Sequence, residues 1–502
     1  MIENGVFEDA DAGVDIASLR REMLARRLSC VQLVERCLAR IERWDRRGPA
    51  LGAMLAVNPR ALEMAADCDA ALSRPGASIR PLHGIPVVLK DNIGTCGMPT
   101  TGGSKSLEGF TPTRDSTLAR RLIDAGAIIL GKANLHEFAL SGLTISSLGG
   151  QTRNPYDLTR TPGGSSGGSA VAVAMGFCAV ALGTDTVNSI RSPASATGLV
   201  GLRPTRGLVS RAGVLPVSDT QDVAGPIGRC VADVACVMDV LAGYDPDDPL
   251  TARSVGKTPP TYVDALDATA LRGKRLGLLR GFQGTEARHA EVNLAVSRAV
   301  EAMRAGGAEV VPLEDPQLDA DRLLREYDVQ KWEFKAHFER YLHSQPDAPL
   351  RSLDDLIEGG LFHRESLEAF LIQAQDTTDI QRDPEYLARL VAIEGLRDRV
   401  FDHMAAQRLD ALIYPLQKCL VAPIGSNGQP ERNGILAALT GFPALNVPAG
   451  FSVATPQAPV GVPIGLDIMA RPFEESLLLG LGYAYEQLAG CYRPPEHAGW
   501  EP

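Results

Sequence analysis

A lysine closes an apolar run in the stretch Gly84-Ile-Pro-Val-Val-Leu-Lys90-Asp91-Asn92. Only 8 of the 50 basic residues are lysines, so a lysine at this apolar position is a selective choice. A lysine removed from water can lose its proton near neutral pH and act as a base, whereas an arginine stays charged. The alternative is a strand-end lysine that extends its ammonium group into solvent. Lys90 is therefore a candidate base, provided that a partner lies beside it.

Small residues dominate a second stretch, Thr161-Pro-Gly-Gly-Ser165-Ser166-Gly-Gly-Ser169. It leads directly into the apolar run Ala170 to Met175, which favours a fixed, buried loop over a flexible linker. An anion-binding nest is a further reading, although the phosphate motif G-x-x-x-x-G-K-[ST] is missing. The stretch also matches the G-x-S-x-G nucleophile elbow, but that elbow needs a strand before the serine, and residues 154–162 do not have a strand pattern.

The third stretch begins with a predicted strand and continues as Gly183-Thr-Asp185-Thr-Val-Asn-Ser189-Ile-Arg191. The strand ends in a tight turn that carries Ser189. Ligand chemistry in open α/β sheets gathers at such strand ends. A serine after a strand is by itself most often a turn or cap residue, so Ser189 gains meaning only together with the other two stretches.

The elements that must position these residues have an α/β pattern, because short apolar runs alternate with glycine-rich turns and helical stretches. Helical spacing of apolar residues predicts two amphipathic helices within residues 16–44, and Ser29 is the expected N-cap of the second. Predicted strands in the first half cover residues 85–89, 127–130 and 177–182.

The second half of the chain contains a predicted β-α-β unit, with strands at 274–279 and 309–312 and a helix at 290–305. The Asp-, Pro- and Thr-rich residues 245–260 before it predict a linker or a long surface loop. Residues 319–407 are predicted to be mostly helical. The remaining predictions are strands at 411–415, 444–447 and 464–469 and a helix at 474–488.

Composition limits the function classes. A net charge of −11 disfavours nucleic acid or anionic membrane as a main partner, and no apolar run reaches the length of about 20 residues that a spanning helix needs. The acidic opening, Met1 to Asp15, does not resemble a signal peptide, and the nine scattered cysteines contain no C-x-x-C pair. We expect a cytoplasmic protein with reduced thiols. His136-Glu137 lacks the second histidine of H-E-x-x-H, so no metal site is expected.

Lys90, the Gly-Gly-Ser-Ser-Gly-Gly loop and the turn Gly-Thr-Asp-x-x-x-Ser-Ile-Arg-x-Pro-Ala together resemble the amidase signature family. The resemblance covers about Pro81 to Ala242, and the offset of 24 residues from Ser165 to Ser189 suits the family. The stretches 440–450 and 471–474 are also similar to it, whereas the middle of the chain carries little of the resemblance.

The resemblance implies one amidase domain over residues 1–502, with an α/β fold in which a large mixed central sheet is covered by helices on both faces. Within it we expect an N-terminal helical region (1–80), a catalytic core (81–245), a variable, mostly helical substrate-entrance region (246–405) and C-terminal strands with a helix (406–490).

The resemblance also implies a serine, cis-serine, lysine triad. Ser189 takes the nucleophile position, Ser165 the cis-serine relay position and Lys90 the position of the base and acid. The backbone N–H groups expected to form the oxyanion hole are those of Thr186, Val187, Asn188 and Ser189. Asp185 and Arg191 are expected to brace the loop, and Ser166 to support Ser165.

This chain departs from the family at Val187-Asn188, where two glycines are usual. Glycine permits backbone shapes that valine resists, while asparagine tolerates a positive φ better than most residues. We therefore expect Asn188 to keep its N–H correctly aimed, and Val187 to reshape the oxyanion hole or to narrow the acyl pocket.

The expected activity is hydrolysis of a carboxylic amide, either a non-peptide amide or a C-terminal amide, with a small-molecule substrate and no cofactor. The run Ser210 to Asp222 is closer to peptide amidases and similar stand-alone enzymes. Alternatives are the ammonia-producing A subunit of a tRNA-dependent amidotransferase and a non-catalytic binding protein on the same fold. Assembly as a homodimer is left open. The aromatic residues of the helical region form either an acyl pocket or packing core: Tyr327, Trp332, Phe334, Phe338, Tyr341, Phe362 and Phe370.

Overall fold

The computed structural model describes residues 14–74, 79–377 and 379–496. Residues 1–13 lie outside this range. They include most of the opening stretch, Met1 to Asp15, for which the sequence predicts no signal peptide. The strands are β1 Met54–Val57, β2 Pro86–Lys90, β3 Ile128–Ala133, β4 Ile145–Ser146, β5 Gly150–Gln151, β6 Val180–Asp185, β7 Val200–Arg203, β8 Val223–Gly228, β9 Arg275–Leu279, β10 Glu309–Leu313, β11 Ala411–Pro415, β12 Ala444–Phe451 and β13 Pro463–Met469.

Fifteen α-helices are present in the described part of the chain. They are α1 Ile16–Leu24, α2 Cys30–Arg40, α3 Ala61–Leu72, α4 Thr117–Asp124, α5 Gly167–Ala174, α6 Arg191–Ala196, α7 Val231–Leu241, α8 Ala290–Ala305, α9 Ala320–Tyr327, α10 Gln330–His343, α11 Leu353–Gly359, α12 Arg364–Gln375, α13 Pro384–Ala406, α14 Ile435–Thr440 and α15 Glu475–Ala489.

Eleven strands form one mixed sheet in the order β1-β3-β2-β6-β8-β7-β12-β13-β11-β9-β10. The β2 strand pairs in parallel with both β3 and β6, and β9 pairs in parallel with both β10 and β11, while the strands between these two groups are antiparallel. A single sheet thus joins the two halves of the chain.

Strand β11 illustrates how both faces of the sheet are covered. Ala411 and Ile413 belong to the largest apolar cluster, whereas Leu412 and Tyr414 belong to a second one. Because successive side chains of a strand point to opposite faces, these two clusters lie on the two sides of the sheet. The fold class predicted from the sequence, a large mixed sheet flanked by helices, is confirmed.

Most predicted elements form close to their predicted bounds. Helix α8 and strand β11 have the predicted residues, and β9 and β10 are the parallel pair of the predicted β-α-β unit. Ser29 caps α2, because its hydroxyl accepts a hydrogen bond from the Gln32 N–H at 3.0 Å. The predicted helical segment contains helices α9 to α13.

The sequence patterns did not predict three strands of the sheet, β1, β7 and β8. Strand β8 reads Val-Ala-Gly-Pro-Ile-Gly, and β7 contains a glycine and ends in a buried arginine. Glycine and proline weaken a strand pattern, so these segments resemble turns in isolation. Strand β1 has only four residues and lies at the sheet edge. Their neighbours in the sheet, which are distant in sequence, make them strands.

Residues 245–260 form a surface loop and not a linker, because the same sheet continues on both sides of it. The loop contains a 3₁₀ turn, Pro249–Ser254, and Asp248 in it pairs with Arg211 at 3.1 Å. In the described ranges, no helix is both long and apolar enough to cross a membrane.

Candidate active site

The candidate residues meet where the carboxyl ends of β2 and β6 lie together, because these two strands are parallel neighbours within the sheet. Val87 pairs with Val180, and Leu89 pairs with Leu182. The carboxyl ends of the two strands therefore coincide, which brings Lys90 at the end of β2 beside Thr184 near the end of β6.

Lys90 is completely buried and is surrounded by oxygen atoms that carry no charge. Its Nζ lies 2.7 Å from Ser165 Oγ and 2.8 Å from Thr184 Oγ1. No carboxylate oxygen of the described residues lies within 4.0 Å of it. Burial lowers the pKa of Lys90 to about 7, although the more distant Asp185 and Asp222 act to raise it. A large fraction of this lysine is therefore neutral near neutral pH.

The glycine-serine loop is a fixed and buried part of the structure, so the flexible-linker interpretation is wrong. Every residue from 161 to 175 is buried. Ser166 Oγ donates to the Thr184 carbonyl at 3.2 Å, and Thr144 Oγ1 donates to the Gly163 carbonyl at 2.7 Å. The peptide bond between Gly164 and Ser165 is cis. Ser166 thus attaches the loop that carries Ser165 to β6.

Ser189 lies in the turn after β6 and is 5% exposed. Its carbonyl accepts a hydrogen bond from the Ser166 N–H at 3.1 Å, which joins the turn to the glycine-serine loop. Its Oγ makes no hydrogen bond to another described residue. The backbone N–H groups of Thr186, Val187, Asn188 and Ser189 likewise donate to no acceptor among the described residues. Four successive backbone N–H groups, those of residues 186–189, are therefore free to donate to a ligand.

A buried ion-pair network holds this turn. Asp185 accepts from the Ile190 N–H at 3.1 Å, from Arg191 Nε at 3.2 Å and from Arg203 Nη1 at 2.8 Å. Burial acts to raise the pKa of Asp185, but the two guanidinium groups hold it at about 2. Arg191 also donates to the Val187 carbonyl at 2.7 Å. The predicted braces, Asp185 and Arg191, therefore hold the backbone that carries the free N–H groups.

Two members of the network were absent from the sequence prediction. Arg203 ends β7, and Asp467 in β13 accepts from Arg191 Nη1 at 2.6 Å. Both side chains are fully buried, so two arginines face two carboxylates without solvent. Asp467 lies 276 residues from its partner, and no local motif marks that pairing.

The Val187-Asn188 pair is accommodated without left-handed backbone. Neither residue has a positive φ, so the expectation that Asn188 relies on its tolerance of positive φ is wrong. Space comes from Gly434, where an added Cβ would lie 2.5 Å from Asn188 Cβ. Val187 belongs to the second apolar cluster, which also contains Ile435. Asn188 is completely buried, and its side-chain amide has no hydrogen-bond partner among the described residues.

The side chains of His83 and His136 make no hydrogen bond to Lys90, Ser165 or Ser189 in the described structure. His83 Nε2 lies 3.1 Å from the Cys68 carbonyl, away from the lysine. His136 is fully buried, and burial lowers its pKa to about 3; its backbone N–H donates to the Ser165 carbonyl at 3.0 Å. Within the described part of the chain, no cluster of three His, Cys, Asp or Glu residues is suited to a metal ion.

A cavity of about 810 Å³ lies beside the ends of β2 and β6. It is bordered by Asn92, Thr184 and Thr186. Of the aromatic residues in the helical region, Tyr341 lines this cavity, whereas Phe334 and Phe338 are completely buried and stack in an apolar cluster. The packing-core interpretation is therefore correct for these two phenylalanines.

Comparisons with known proteins identify the family of the chain. The Amidase family model matches residues 32–479. The crystal structure of peptide amidase from Stenotrophomonas maltophilia is 40% identical, with a TM-score of 0.86, over 97% of this chain and 99% of that one. The A subunit of glutamyl-tRNA(Gln) amidotransferase from Prochlorococcus marinus (strain MIT 9303) is 36% identical over 94% of this chain and 97% of its own length.

The corresponding protein from Thermotoga maritima is a more distant structural neighbour, at 27% identity and a TM-score of 0.70 over 94% of this chain and 98% of that one. The family model covers most of the chain, and the similar proteins span nearly its full length. The chain therefore belongs to the amidase family, whose members act on amide bonds.

Proposed function

We propose that this protein hydrolyses a carboxylic amide through a covalent acyl-enzyme on Ser189. The observation that carries the proposal is Lys90, a fully buried lysine that contacts Ser165 Oγ at 2.7 Å and has no carboxylate partner within 4.0 Å in the described structure. A lysine in such surroundings is a base of the strength that amide chemistry at neutral pH requires.

The first half of the reaction forms the acyl-enzyme. Ser189 Oγ attacks the amide carbon while its proton passes to Ser165, whose own proton passes to neutral Lys90. The carbonyl oxygen becomes an oxyanion that accepts hydrogen bonds from the free N–H groups of the loop 186–189. Collapse of this intermediate breaks the C–N bond, and the nitrogen leaves with the proton that Ser165 and Lys90 return.

The second half releases the acid. A water molecule attacks the ester carbon, and the same lysine and serine accept its proton. The C–O bond to Ser189 then breaks, and its oxygen recovers a proton. The products are one carboxylic acid and one amine, and the enzyme returns to its starting state without a cofactor.

For the substrate we propose the primary amide at the C-terminus of a peptide or a small linear amide. The similarity to peptide amidase supports this choice, because it reaches 40% identity with a TM-score of 0.86, against 27% and 0.70 for the Thermotoga amidotransferase protein.

A second candidate is the A subunit of a glutamyl-tRNA(Gln) amidotransferase, which the 36% identity to the Prochlorococcus protein supports. The two functions differ in a simple assay. The purified chain alone should release ammonia from an N-acylated amino-acid amide faster than from glutamine. Faster release from glutamine, together with a gain in rate on addition of partner subunits, favours the amidotransferase.

The catalytic proposal is tested by intact mass after incubation with a fluorophosphonate. We expect one adduct on the wild type, none on Ser189→Ala, and slower formation on Lys90→Ala. Ser192→Ala is a matched control, because Ser192 is a buried serine only three residues further along the chain. An adduct that survives Ser189→Ala, or the absence of any adduct on the wild type, contradicts the mechanism and favours the non-catalytic binding protein.

A further inference from the structure

Thr186 begins the loop that carries the four free N–H groups, and residues 217–222 hold it by its side chain and by its carbonyl. Thr186 Oγ1 donates to Asp222 at 2.6 Å, and Gln221 Nε2 donates to the Thr186 carbonyl at 3.3 Å. Because a peptide group is planar, a fixed carbonyl also fixes the direction of the N–H that follows it, which here belongs to Val187. This segment therefore helps to aim one of the four free donors.

The segment is held both from within and from the start of helix α10. The Asp222 carboxylate accepts from the N–H groups of Val217 and Ser218 at 2.7 and 2.9 Å, and the Gln221 N–H donates to Ser218 Oγ at 3.2 Å. Gln221 Oε1 accepts from the N–H of Val329, the residue directly before α10, at 3.2 Å. The two residues that contact Thr186 thus depend on Ser218 and on α10.

Glu333 of α10 binds the same segment through its carboxylate. It accepts from the hydroxyl groups of Ser218 and Thr220, and from the Thr220 N–H at 3.0 Å. A fourth donor is the hydroxyl group of Tyr386 in α13, at 2.8 Å. The carboxylate therefore connects two helices of the helical region with the segment that contacts Thr186.

Helix packing alone does not explain a carboxylate at this position. Glu333 is 1% exposed, and its neighbours Trp332 and Phe334 are buried apolar residues. Burial of a charged group costs free energy unless hydrogen bonds compensate for it, whereas an apolar side chain has no such cost. Three of the four donors to Glu333 come from the 217–222 segment, so the carboxylate is matched to that segment and not to the helix.

We propose that Glu333 is a positioning residue for the oxyanion hole. It fixes Ser218 and Thr220, their segment fixes Thr186, and Thr186 aims the Val187 N–H at the developing oxyanion. Glu333 acts through these residues and does not touch the substrate. The inference rests on the proposed function, and it gives the helical region a part in the chemical step as well as at the expected substrate entrance.

The test begins with Glu333→Leu, which removes every acceptor and leaves the Thr220 N–H without its partner. The segment should shift, and a misdirected oxyanion donor loses much of its effect. Titration of Ser189 with a fluorophosphonate counts the active chains. Per active chain, kcat for a primary amide should fall by about tenfold or more, while KM stays within about threefold.

A peptide aldehyde supplies a readout that a merely structural role does not change. Its adduct with Ser189 places an oxygen where the oxyanion forms, so it binds as a transition-state analogue. The Ki of the aldehyde should rise by about the factor by which kcat falls. Partial unfolding lowers only the number of active chains and leaves this Ki unchanged.

Glu333→Gln tests whether hydrogen bonding carries the effect. Its amide oxygen can still accept from the Thr220 N–H, and its amide nitrogen faces hydroxyl groups that can accept as well as donate. Both kcat and the aldehyde Ki should therefore return to within about threefold of the wild-type values. If Glu333→Leu does not fold, Ser218→Ala breaks the same link from the other side and should raise the Ki in the same direction.

Glu339→Leu is the matched control. Glu339 lies in the same helix, and its Oε1 accepts from the Leu353 N–H at 3.1 Å, so its contact stays within the helical region. Its loss should leave kcat per active chain and the aldehyde Ki within about twofold of the wild-type values.

Four outcomes contradict the inference or its basis. Unchanged kcat and Ki in Glu333→Leu overturn it, while the proposed function survives. A higher KM at constant kcat assigns Glu333 to substrate binding instead. A Glu333→Gln variant as impaired as Glu333→Leu rejects the hydrogen-bond route. If the wild type hydrolyses no amide and Ser189 takes no fluorophosphonate, the proposed function itself fails.

Discussion

Two buried lysines lie on adjacent strands of the sheet, one register position apart, and only one of them contacts a carboxylate among the described residues. Lys90 ends β2, Lys132 lies in the adjacent strand β3, and both side chains are fully buried. Lys132 Nζ lies 3.2 Å from a carboxylate oxygen of Asp91, whereas Lys90 Nζ, within the described ranges, hydrogen-bonds only to hydroxyl groups and a carbonyl. Burial lowers the pKa of both lysines, but only at Lys132 does a carboxylate in direct contact oppose this effect.

The comparison bears on the role proposed for Lys90, because burial is common to both lysines and does not by itself distinguish a base from a lysine in an ion pair. Asp91 follows Lys90 directly in the chain, yet it pairs with the lysine of the next strand. Successive side chains of an extended chain point in opposite directions, so Asp91 points away from its neighbour. Lys132 is thereby placed in an ion pair, whereas Lys90 has no carboxylate in direct contact within the described structure, as the proposed base requires.

The largest expected effect separates the chemistry of the two lysines. Lys90→Met keeps the apolar part of the side chain but removes the base, so kcat/KM for a primary amide should fall by about 10⁴-fold or more. Steady-state ammonia release measures this loss. A residual activity within tenfold of the wild type contradicts the role of Lys90.

Lys132→Met should reduce stability instead of removing the base. It leaves Asp91 as an unpaired buried charge, and loss of one partner of a buried pair costs about 3–5 kcal/mol. The free energy of unfolding in urea measures this cost. The double variant with Asp91→Asn should recover part of the loss, because it removes the stranded charge. If Lys132→Met unfolds at the same urea concentration as the wild type, the Lys132–Asp91 pair does not contribute to stability.

The pH dependence of kcat/KM should report the unusual proton affinity of Lys90. Below a pKa of about 7 the lysine is protonated and cannot accept the serine proton, so activity should fall about tenfold per pH unit on the acidic side. Above that value the lysine is neutral and the activity reaches a plateau. A profile that rises only near pH 10 indicates an ordinary lysine and contradicts this interpretation.

The smallest effect tests the hydroxyl environment. Thr184→Val removes the Oγ1 that lies 2.8 Å from Lys90 Nζ. Loss of this acceptor disfavours the charged lysine, so the acidic limb of the pH profile should move to lower pH by less than about one unit. The plateau rate should fall by about tenfold or less, because the lysine is held less firmly. Thr184→Ser, which restores the hydroxyl group, should reverse both changes.

Local chemistry made the three stretches around Lys90, Ser165 and Ser189 recognisable in the sequence. Each is a continuous motif in which glycine, serine or lysine has a backbone or proton-transfer reason to be present. Helix α8 and strand β11 were predicted with their observed bounds for a similar reason, because their apolar spacing is regular and local. The division of the chain into regions stays a prediction.

Other features could not be predicted because their causes lie far away in the chain. Strand β8, with two glycines and a proline, is a strand because β6 and β7 pair with it on either side. Gly434 gives space to Asn188, although the two residues are 246 positions apart. No local signal marked either relation.

The sequence by itself determined which residue types stand at the ends of β2 and β6 and in the glycine-serine loop, residues 161–169. Only the tertiary structure decided that Lys90 contacts two hydroxyl groups and no carboxylate of the described residues, that Arg191 and Arg203 neutralise Asp185, and that a cavity opens beside Thr184. The physical reason is that proton affinity depends on burial and on neighbouring charge, and both are properties of the folded surroundings.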